Sequence, residues 1–480
     1  MQVAQGHRAN LIALPSLTMT AVPKIPHAQA AARFVADADR TTWHDQALWH
    51  VRQKRDKAAH GIPEWEDLRQ RASDIKDHAL SELDVYLEQF EAAALANGVQ
   101  VHWASDAEEH NRIIHEILKR KKIREVVKSK SMLTEECGLN PYLEDRGIEV
   151  VDTDLGERII QMLNEPPSHI VMPAIHLKKE EIGELFHAKL GTEQGSADPQ
   201  YLTEAARQHL RSRFLVGKAA ITGVNFGVAE TGTVTVCTNE GNADMGVHLA
   251  EVQIHCMGIE KVIPRWEDLG VFTRLLGRSA TGQPITIYTS HHHRPRPGAE
   301  MHVVIVDNGR SEHLGREDFR NALKCIRCGA CMNTCPIYRR SGGHSYGSTI
   351  PGPIGSILTP GFDLEQHNDL PFASTLCGSC SDVCPVKIDI HDQLYKWRQV
   401  ATDAGHMPWT KRLAMRGGNW VLSRRTRLGT TGKLARAALR VLPKGLINNP
   451  LNDWGKARDM PEPPKQTFSE WYAANRRDEG

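Results

Sequence analysis

The 480-residue sequence predicts an α/β fold: a domain with a parallel-rich sheet, then a helical cysteine-bearing domain, then a basic helical C-terminal region. Three observations carry this expectation. Short apolar strand candidates alternate with helical periodicity between Val99 and Val306, the pattern of parallel strands covered on both faces. Seven of the ten cysteines fall between Cys325 and Cys384. From Lys411 to Lys444 ten lysines and arginines occur with no acidic residue among them.

Residues 1–41 read as a flexible leader. Ala9 to Val22 is mildly apolar, but Pro15, Thr18 and Thr20 interrupt it, which favours a leader, or a start at Met19, over a secretory signal. Residues 42–97 carry Trp43, Ala47 and Val51, then Leu80, Leu83, Leu87, Phe90 and Leu95, at helical spacing, with Pro63 between two helical stretches. Strands are expected at Val99–Trp103, Ile123–Val127, Gly147–Val151, His169–Met172, Ala219–Thr222, Thr233–Cys237, Val252–Cys256, Ile285–Tyr288 and His302–Val306, all in one sheet. Helices are expected after the capping residue Asp106, and over Ile159–Leu163, Ile182–Leu190, Leu202–Val216, Trp266–Leu276, Arg316–Leu323 and Ile390–Val400. The expected domains are 42–310, 311–402 and 403–480.

The cysteine region is the most specific stretch. Its first run is Cys325-Ile-Arg-Cys328-Gly-Ala-Cys331-Met-Asn-Thr-Cys335-Pro336, the spacing of bacterial-ferredoxin iron–sulfur sites. Two-residue gaps wrap a short loop so that three sulfurs converge on one cluster. The second run, Cys377-Gly-Ser-Cys380-Ser-Asp-Val-Cys384-Pro385, matches from its Cys-Pro end, with Ser374 where a first cysteine would stand. Three cysteines there suit either a [3Fe-4S] cluster or a [4Fe-4S] cluster with one other ligand. In two-cluster ferredoxins the Cys-Pro cysteine ligates the neighbouring cluster. The expected sets are therefore Cys325, Cys328, Cys331 and Cys384 for one cluster, and Cys335, Cys377 and Cys380 for the other. Ser374 or an exogenous ligand would serve the fourth iron of the second. Zinc prefers ligands in two pairs, and disulfides need an oxidising compartment.

A net charge of +1 and the absence of recognition motifs exclude a nucleic-acid partner. A mean hydropathy of −0.42, with no run of eighteen apolar residues, predicts no membrane span and a cytoplasmic chain. The basic stretch 411–444 reads either as a docking face for an acidic partner or the anionic membrane surface, or as an ordinary helical surface. No G-x-G-x-x-G follows a strand, so no dinucleotide or flavin fingerprint is evident. Glu230, in Glu230-Thr231-Gly232-Thr233, is a candidate base or nucleophile, against a tight turn with a buried, hydrogen-bonded glutamate. Lys128 and Lys130 can hold an anion or mark an exposed strand end. His291, His292 and His293 read as a solvated loop, and Cys137, Cys237 and Cys256 as packing cysteines.

Several stretches together resemble the iron–sulfur subunits of the bacterial lactate-utilisation complex over nearly the whole length. They are Lys128-Ser-Lys-Ser131-Met, Asp154-Leu-Gly-Glu157, Pro167-Ser-His-Ile170, Pro173-Ala-Ile-His176, Ala229-Glu-Thr-Gly-Thr233, Asn239-Glu-Gly-Asn242, Gly258-Ile-Glu-Lys261, Asp307-Asn-Gly-Arg310, Gly342-Gly-His344 and both cysteine runs. The resemblance implies an N-terminal domain folded like sugar-phosphate isomerases and CoA transferases; in the latter glutamates serve as base or nucleophile, the role open to Glu230. It implies a helical ferredoxin-type domain with two [4Fe-4S] clusters, the second run holding three cysteines in that family too. It also implies electron transfer during oxidation of L-lactate to pyruvate. The partners it implies are a cysteine-rich redox subunit and a second subunit with a lactate-utilisation domain.

Overall fold

The computed structural model describes residues 25–443, 445 and 462–475. The chain forms two compact units, divided between Ala401 and Thr402.

In the first unit, ten strands make two sheets. Strands β1 (Gln100–Ala104), β2 (Glu125–Lys128), β3 (Glu149–Asp152), β4 (Ala219–Gly223), β7 (Val252–Gly258) and β10 (Glu300–Val306) form a wholly parallel six-stranded sheet, ordered β1-β10-β7-β4-β2-β3. Strands β5 (Phe226–Val228), β6 (Thr233–Thr238), β8 (Val262–Ile263) and β9 (Tyr288–His292) form a four-stranded sheet, ordered β8-β5-β6-β9. The expected single sheet is therefore two. The turn after Gly223 at the end of β4 starts the second sheet, and β6 pairs antiparallel with β5 and β9. Of the central strands, β7 is buried along its whole length and β10 at every residue after Glu300, as strands with helices on both faces must be.

Other expectations shift. Residues 169–172 form no strand, because the His169 ring accepts the Val171 and Met172 N–H groups and holds the segment in a tight turn. The strand placed at 285–288 lies at 288–292, so His291 and His292 pair with Thr235 and Val234 of β6. His292 is buried, and its ring stacks on that of His255 at 5.0 Å. The solvated-loop reading fails there because β6 needs a second partner strand. The helix expected over Arg316–Leu323 is a short 3-10 turn, Arg320–Lys324.

Four helices precede the sheet: α1 (His27–Ala36), α2 (Ala38–His60), α3 (Trp65–Ser81) and α4 (Leu83–Ala96). Within the stretch 1–41 expected as a flexible leader, the described part is helical from His27 onward. The α1 ring of His27 lies edge-on to Tyr346 at 4.7 Å, and Phe34 lies edge-on to His44 at 5.4 Å. Residues 1–24 lie outside the described part. One hydrophobic core joins Leu48 and Leu68 of these helices, Phe226 and Phe272 of the sheet region, and Met332, Tyr338, Ile357 and Trp397 of the cysteine-bearing region.

The second unit contains helices Trp409–Leu422, Arg425–Val441 and Phe468–Asn475, none with a buried residue. Arg436 and Lys433 pair with Glu470 at 3.4 and 3.6 Å. Among the described residues no helix is long and apolar enough to cross a membrane. Lys444 falls outside them.

Candidate functional site: two cysteine loops beside a cavity

The two cysteine runs fold into the same loop twice. In the first, Arg327 (φ 59°) and Gly329 (φ 74°) flank Cys328 in left-handed conformations; in the second, Leu376 (φ 54°) and Gly378 (φ 79°) flank Cys377 likewise. Gly329 and Gly378 each start a short helix, Ala330–Thr334 and Ser379–Asp382. The Arg327 N–H donates to Cys325 Sγ at 3.3 Å, and the Leu376 N–H donates to Ser374 Oγ at 3.0 Å. Ser374 therefore occupies the backbone position of Cys325. Further N–H groups reach sulfur from Tyr338 to Cys335 (3.5 Å) and from Ile388 to Cys384 (3.4 Å). Thr334 and Ser379 share a 2.5 Å hydrogen bond that ties the two loop helices together.

The electrostatic neighbours of each thiol sort the cysteines. Burial raises Cys328, and the charges of Cys384 and Cys325 raise it further. Burial likewise raises Cys331, whose charged neighbours are Cys325 and Cys328 first and then Cys380 and Cys384, so this thiol stands between the two groups. Burial raises Cys335, to which Cys377 adds, and pushes Cys380 up to about 12 with Cys335 and Cys377 beside it. Cys384 is pushed up to about 11 by burial, with Cys325 as its cysteine neighbour. Buried thiols so placed become thiolates together only around a compensating cation. The donor set, the N–H groups on sulfur and the loop shape fit an iron–sulfur cluster in each group.

Three arginines from the N-terminal helices clamp the second run. Arg55 donates to the Val383 carbonyl at 2.9 Å, and Arg69 donates to the carbonyls of Asp382 (2.6 Å) and Cys384 (3.0 and 2.9 Å). Arg52 bonds Thr334 and reaches Ser379 at 3.5 Å. From the sheet side, Lys261 Nζ donates to the Cys325 carbonyl at 3.3 Å. The buried His169 ring bonds Asn333 at 3.0 Å, and burial brings it down to about 3, so it stays neutral. These arginines, Lys261 and His169 were missed by sequence reasoning. Arginines at 52, 55 and 69 on two helices of mixed polarity were the available signal.

A cavity of about 500 Å³ opens at the carboxyl ends of the large sheet. Between β2 and β4 the strand order reverses: the chain runs outward from β2 to β3, and the other way from β4 to β7 and β10. Open α/β sheets bind ligands at such a crevice. Lys130, Gly223, Gly258, Lys261 and Arg310 follow the strand ends into the wall, and Arg327 and Cys328 of the first cysteine loop complete it. Arg310 is spent on Glu136 (2.9 and 3.0 Å) and Glu260 (2.7 Å). Burial opposes the Glu260 charge, yet Arg310, Lys261 and Arg327 hold it at about 2. Burial, opposed by Glu260 but aided by Arg327, brings Lys261 down to about 8. Burial and the charge of Asp154 raise Glu240, at the opposite wall, to about 7.

The remaining candidates divide. Glu230 is exposed; it accepts the Trp266 N–H at 2.8 Å and lines neither the cavity nor the cysteine loops. Lys128 is neither an exposed strand end nor a free anion site: it is wholly buried against Asp152 (2.7 Å), Glu135 (3.0 Å) and Glu157 (3.7 Å). Lys130 lines the cavity but binds Asp154 at 2.9 Å and the Val171 carbonyl at 3.0 Å. Cys137 and Cys256 are buried, and Cys237 and Cys256 border the cavity with burial pushing each to about 12. Such thiols are poor nucleophiles.

An α/β domain whose strand-end cavity reaches a ferredoxin-type cysteine loop defines an iron–sulfur protein with a fused α/β domain. The comparisons agree: residues 87–312 match the LUD domain, and residues 321–388 match the 4Fe-4S dicluster domain. The chain is 43% identical over 439 residues to lactate utilization protein B of Oceanobacillus iheyensis, covering 89% of this chain and 91% of that protein. It is 44% identical over 451 residues to lactate utilization protein B of Shouchella clausii, covering 89% and 93%. It belongs to the lactate utilization protein B family. A crystal structure of a DUF162 family protein from Deinococcus radiodurans aligns with 47% of this chain and 98% of its own, at 14% identity and a TM-score of 0.27, too slight a likeness to carry an argument.

Proposed function

We propose that this chain is the electron-transfer subunit of a cytoplasmic complex that oxidises L-lactate to pyruvate. Cys325, Cys328, Cys331 and Cys384 hold one [4Fe-4S] cluster, and Cys335, Cys377 and Cys380 hold a second with a non-cysteine ligand at its fourth iron. The observation that carries this reading is the crossed sorting of thiols, with Cys384 beside Cys325 and Cys328, and Cys335 beside Cys377 and Cys380. Lactate releases two electrons and two protons on becoming pyruvate. Two centres that each store one electron match that number. The N–H groups on sulfur and the nearby Arg69 favour the reduced, more negative state of the sites they touch. The partners of this reading are a cysteine-rich redox subunit and a second subunit with a lactate-utilisation domain. The exposed basic helices of the second unit serve as a docking element for an acidic partner.

A second reading is favoured by the cavity: the α/β domain itself binds a small anionic molecule, an acyl or phosphate ligand, that exchanges electrons with the first site. Cys328 lines that cavity, and Lys261 and Arg327 put positive charge in its wall.

The test is anaerobic purification with iron and sulfide analysis and EPR. About eight iron per chain is expected if both sites hold cubanes. Cys384→Ala should perturb the signal of the four-cysteine cluster first, and Cys335→Ala should abolish the air-labile one first. The opposite pattern would mean that each run closes on its own cluster.

A further inference from the structure

Away from the cavity and the cysteine loops, three side chains from distant stretches meet: Glu165, His176 and His344. Each offers a ligand atom within 4.8 Å of the other two. Glu165 and His176 flank the turn that carries His169, and His344 lies in the Gly-rich connection between the cysteine runs. Gly343 makes the meeting possible, because a Cβ there would stand 1.7 Å from the Ser168 carbonyl oxygen.

The hydrogen-bond partners suit two imidazoles that each turn a lone pair inward. Ser168 Oγ donates its proton to the Pro173 carbonyl at 2.8 Å, so toward His176 Nδ1, 2.8 Å away, it can only accept. His176 therefore carries its proton on Nδ1 and turns the Nε2 lone pair toward Glu165 Oε2, at 2.9 Å. Two acceptors at that distance need a cation between them. Either a shared proton or a metal ion meets that need. His344 Nε2 lies 2.8 Å from the Pro166 carbonyl and so carries its proton there, leaving the Nδ1 lone pair free. Backbone and hydroxyl acceptors that orient both imidazoles in this way are the outer shell of a histidine metal site.

We propose that Glu165, His176 and His344 bind a divalent first-row transition ion, of which zinc is the simplest, and that the ion staples the α/β domain to the loop between the cysteine runs. Two imidazoles and one carboxylate are a common ligand set for such ions, with a remaining position for water. Tetrahedral zinc, with bonds of about 2.0–2.1 Å, sets its donors roughly 3.3 Å apart. The His176–Glu165 pair, at 2.9 Å, must widen slightly and the His344 atom must draw in by up to roughly 1.5 Å, and the half-exposed Glu165 side chain is free to turn. Glu165 and His344 are both exposed, so the ion enters from solvent.

The experiment uses the anaerobically purified, cluster-loaded chain, so that the cysteines are already occupied. After mild chelation, zinc is titrated in by calorimetry, and cobalt by its visible d–d bands. One tight site per chain is expected, with tetrahedral cobalt bands lacking sulfur charge transfer. His344→Ala and Glu165→Gln, both at exposed positions, should weaken it at least 10–100-fold while iron and sulfide stay unchanged. Zinc should raise the thermal midpoint of the parent chain and not of the variants. An unaltered site in both variants, cobalt bands with sulfur charge transfer, or no binding by the parent would each overturn the proposal. The last result would leave a protonated His176–Glu165 pair in its place.

Discussion

At the scale of single residues, the charges around the two functional regions lead to different expectations. Arg69 holds the carbonyl of Cys384 from a buried position, so its positive charge acts at short range through low dielectric. Arg69→Ala should shift the midpoint potential of the four-cysteine cluster negative, by on the order of tens of millivolts, in an anaerobic redox titration followed by EPR. In the cavity Glu240, raised to about 7 by burial and Asp154, titrates near neutrality, and Lys261, brought down to about 8, loses its charge just above it. Below about pH 7 Glu240 is neutral; as pH rises through about 7 the wall gains a negative charge. An anionic electron donor should therefore reduce the protein more slowly above pH 7 than below it. Glu240→Gln should flatten that part of the stopped-flow rate profile.

At the scale of elements, the repeated loop makes the sharpest expectation. Ser374 Oγ accepts the N–H two residues on, as Cys325 Sγ does in the first loop. Ser374→Cys should therefore supply a fourth thiolate to the second site. The air-labile EPR signal should then persist under oxygen for severalfold longer, with the iron content unchanged. This equivalence was legible in the sequence, because the shared spacing alone aligns Ser374 with Cys325. Strand identity was legible too, since apolar runs such as Val303–Val306 have no other use. Sheet membership was not. Thr233–Cys237 reads like any buried strand, and only the turn after Gly223 and the pairing with Phe226–Val228 send it into a separate sheet. His169–Met172 has a strand's composition, but the histidine ring captures the N–H groups a ladder would have used. The cavity was illegible for a similar reason: Lys261, Arg327 and Glu240 are far apart in sequence and converge only through strand order.

At the scale of the whole molecule, buried neutral histidines make the fold acid-sensitive. Burial holds His110, His292, His302 and His313 at about 4, and His169 at about 3, against an ordinary value of 6.5. The unfolded chain binds protons at these positions in a range where the folded chain does not. Stability is thus complete above about pH 6.5 and is lost as pH falls from there toward 4. Thermal midpoints measured across that window should fall steeply, and His313→Gln should make the slope shallower.

The clamp of α2 and α3 over the second cysteine run also decides which sulfurs an incoming carrier can reach. Iron–sulfur donors pass a cluster by ligand exchange, which needs a sulfur that an incoming carrier can touch. Of the seven cysteines only Cys377 is exposed, while Cys328, Cys331, Cys335, Cys380 and Cys384 are closed off. The helices that clamp the loops leave the ribosome well before the cysteines, Arg69 preceding Cys384 by 315 positions. Each group still keeps one reachable sulfur, Cys377 exposed and Cys325 half-buried, while Arg55 and Arg69 hold the loop carbonyls from behind.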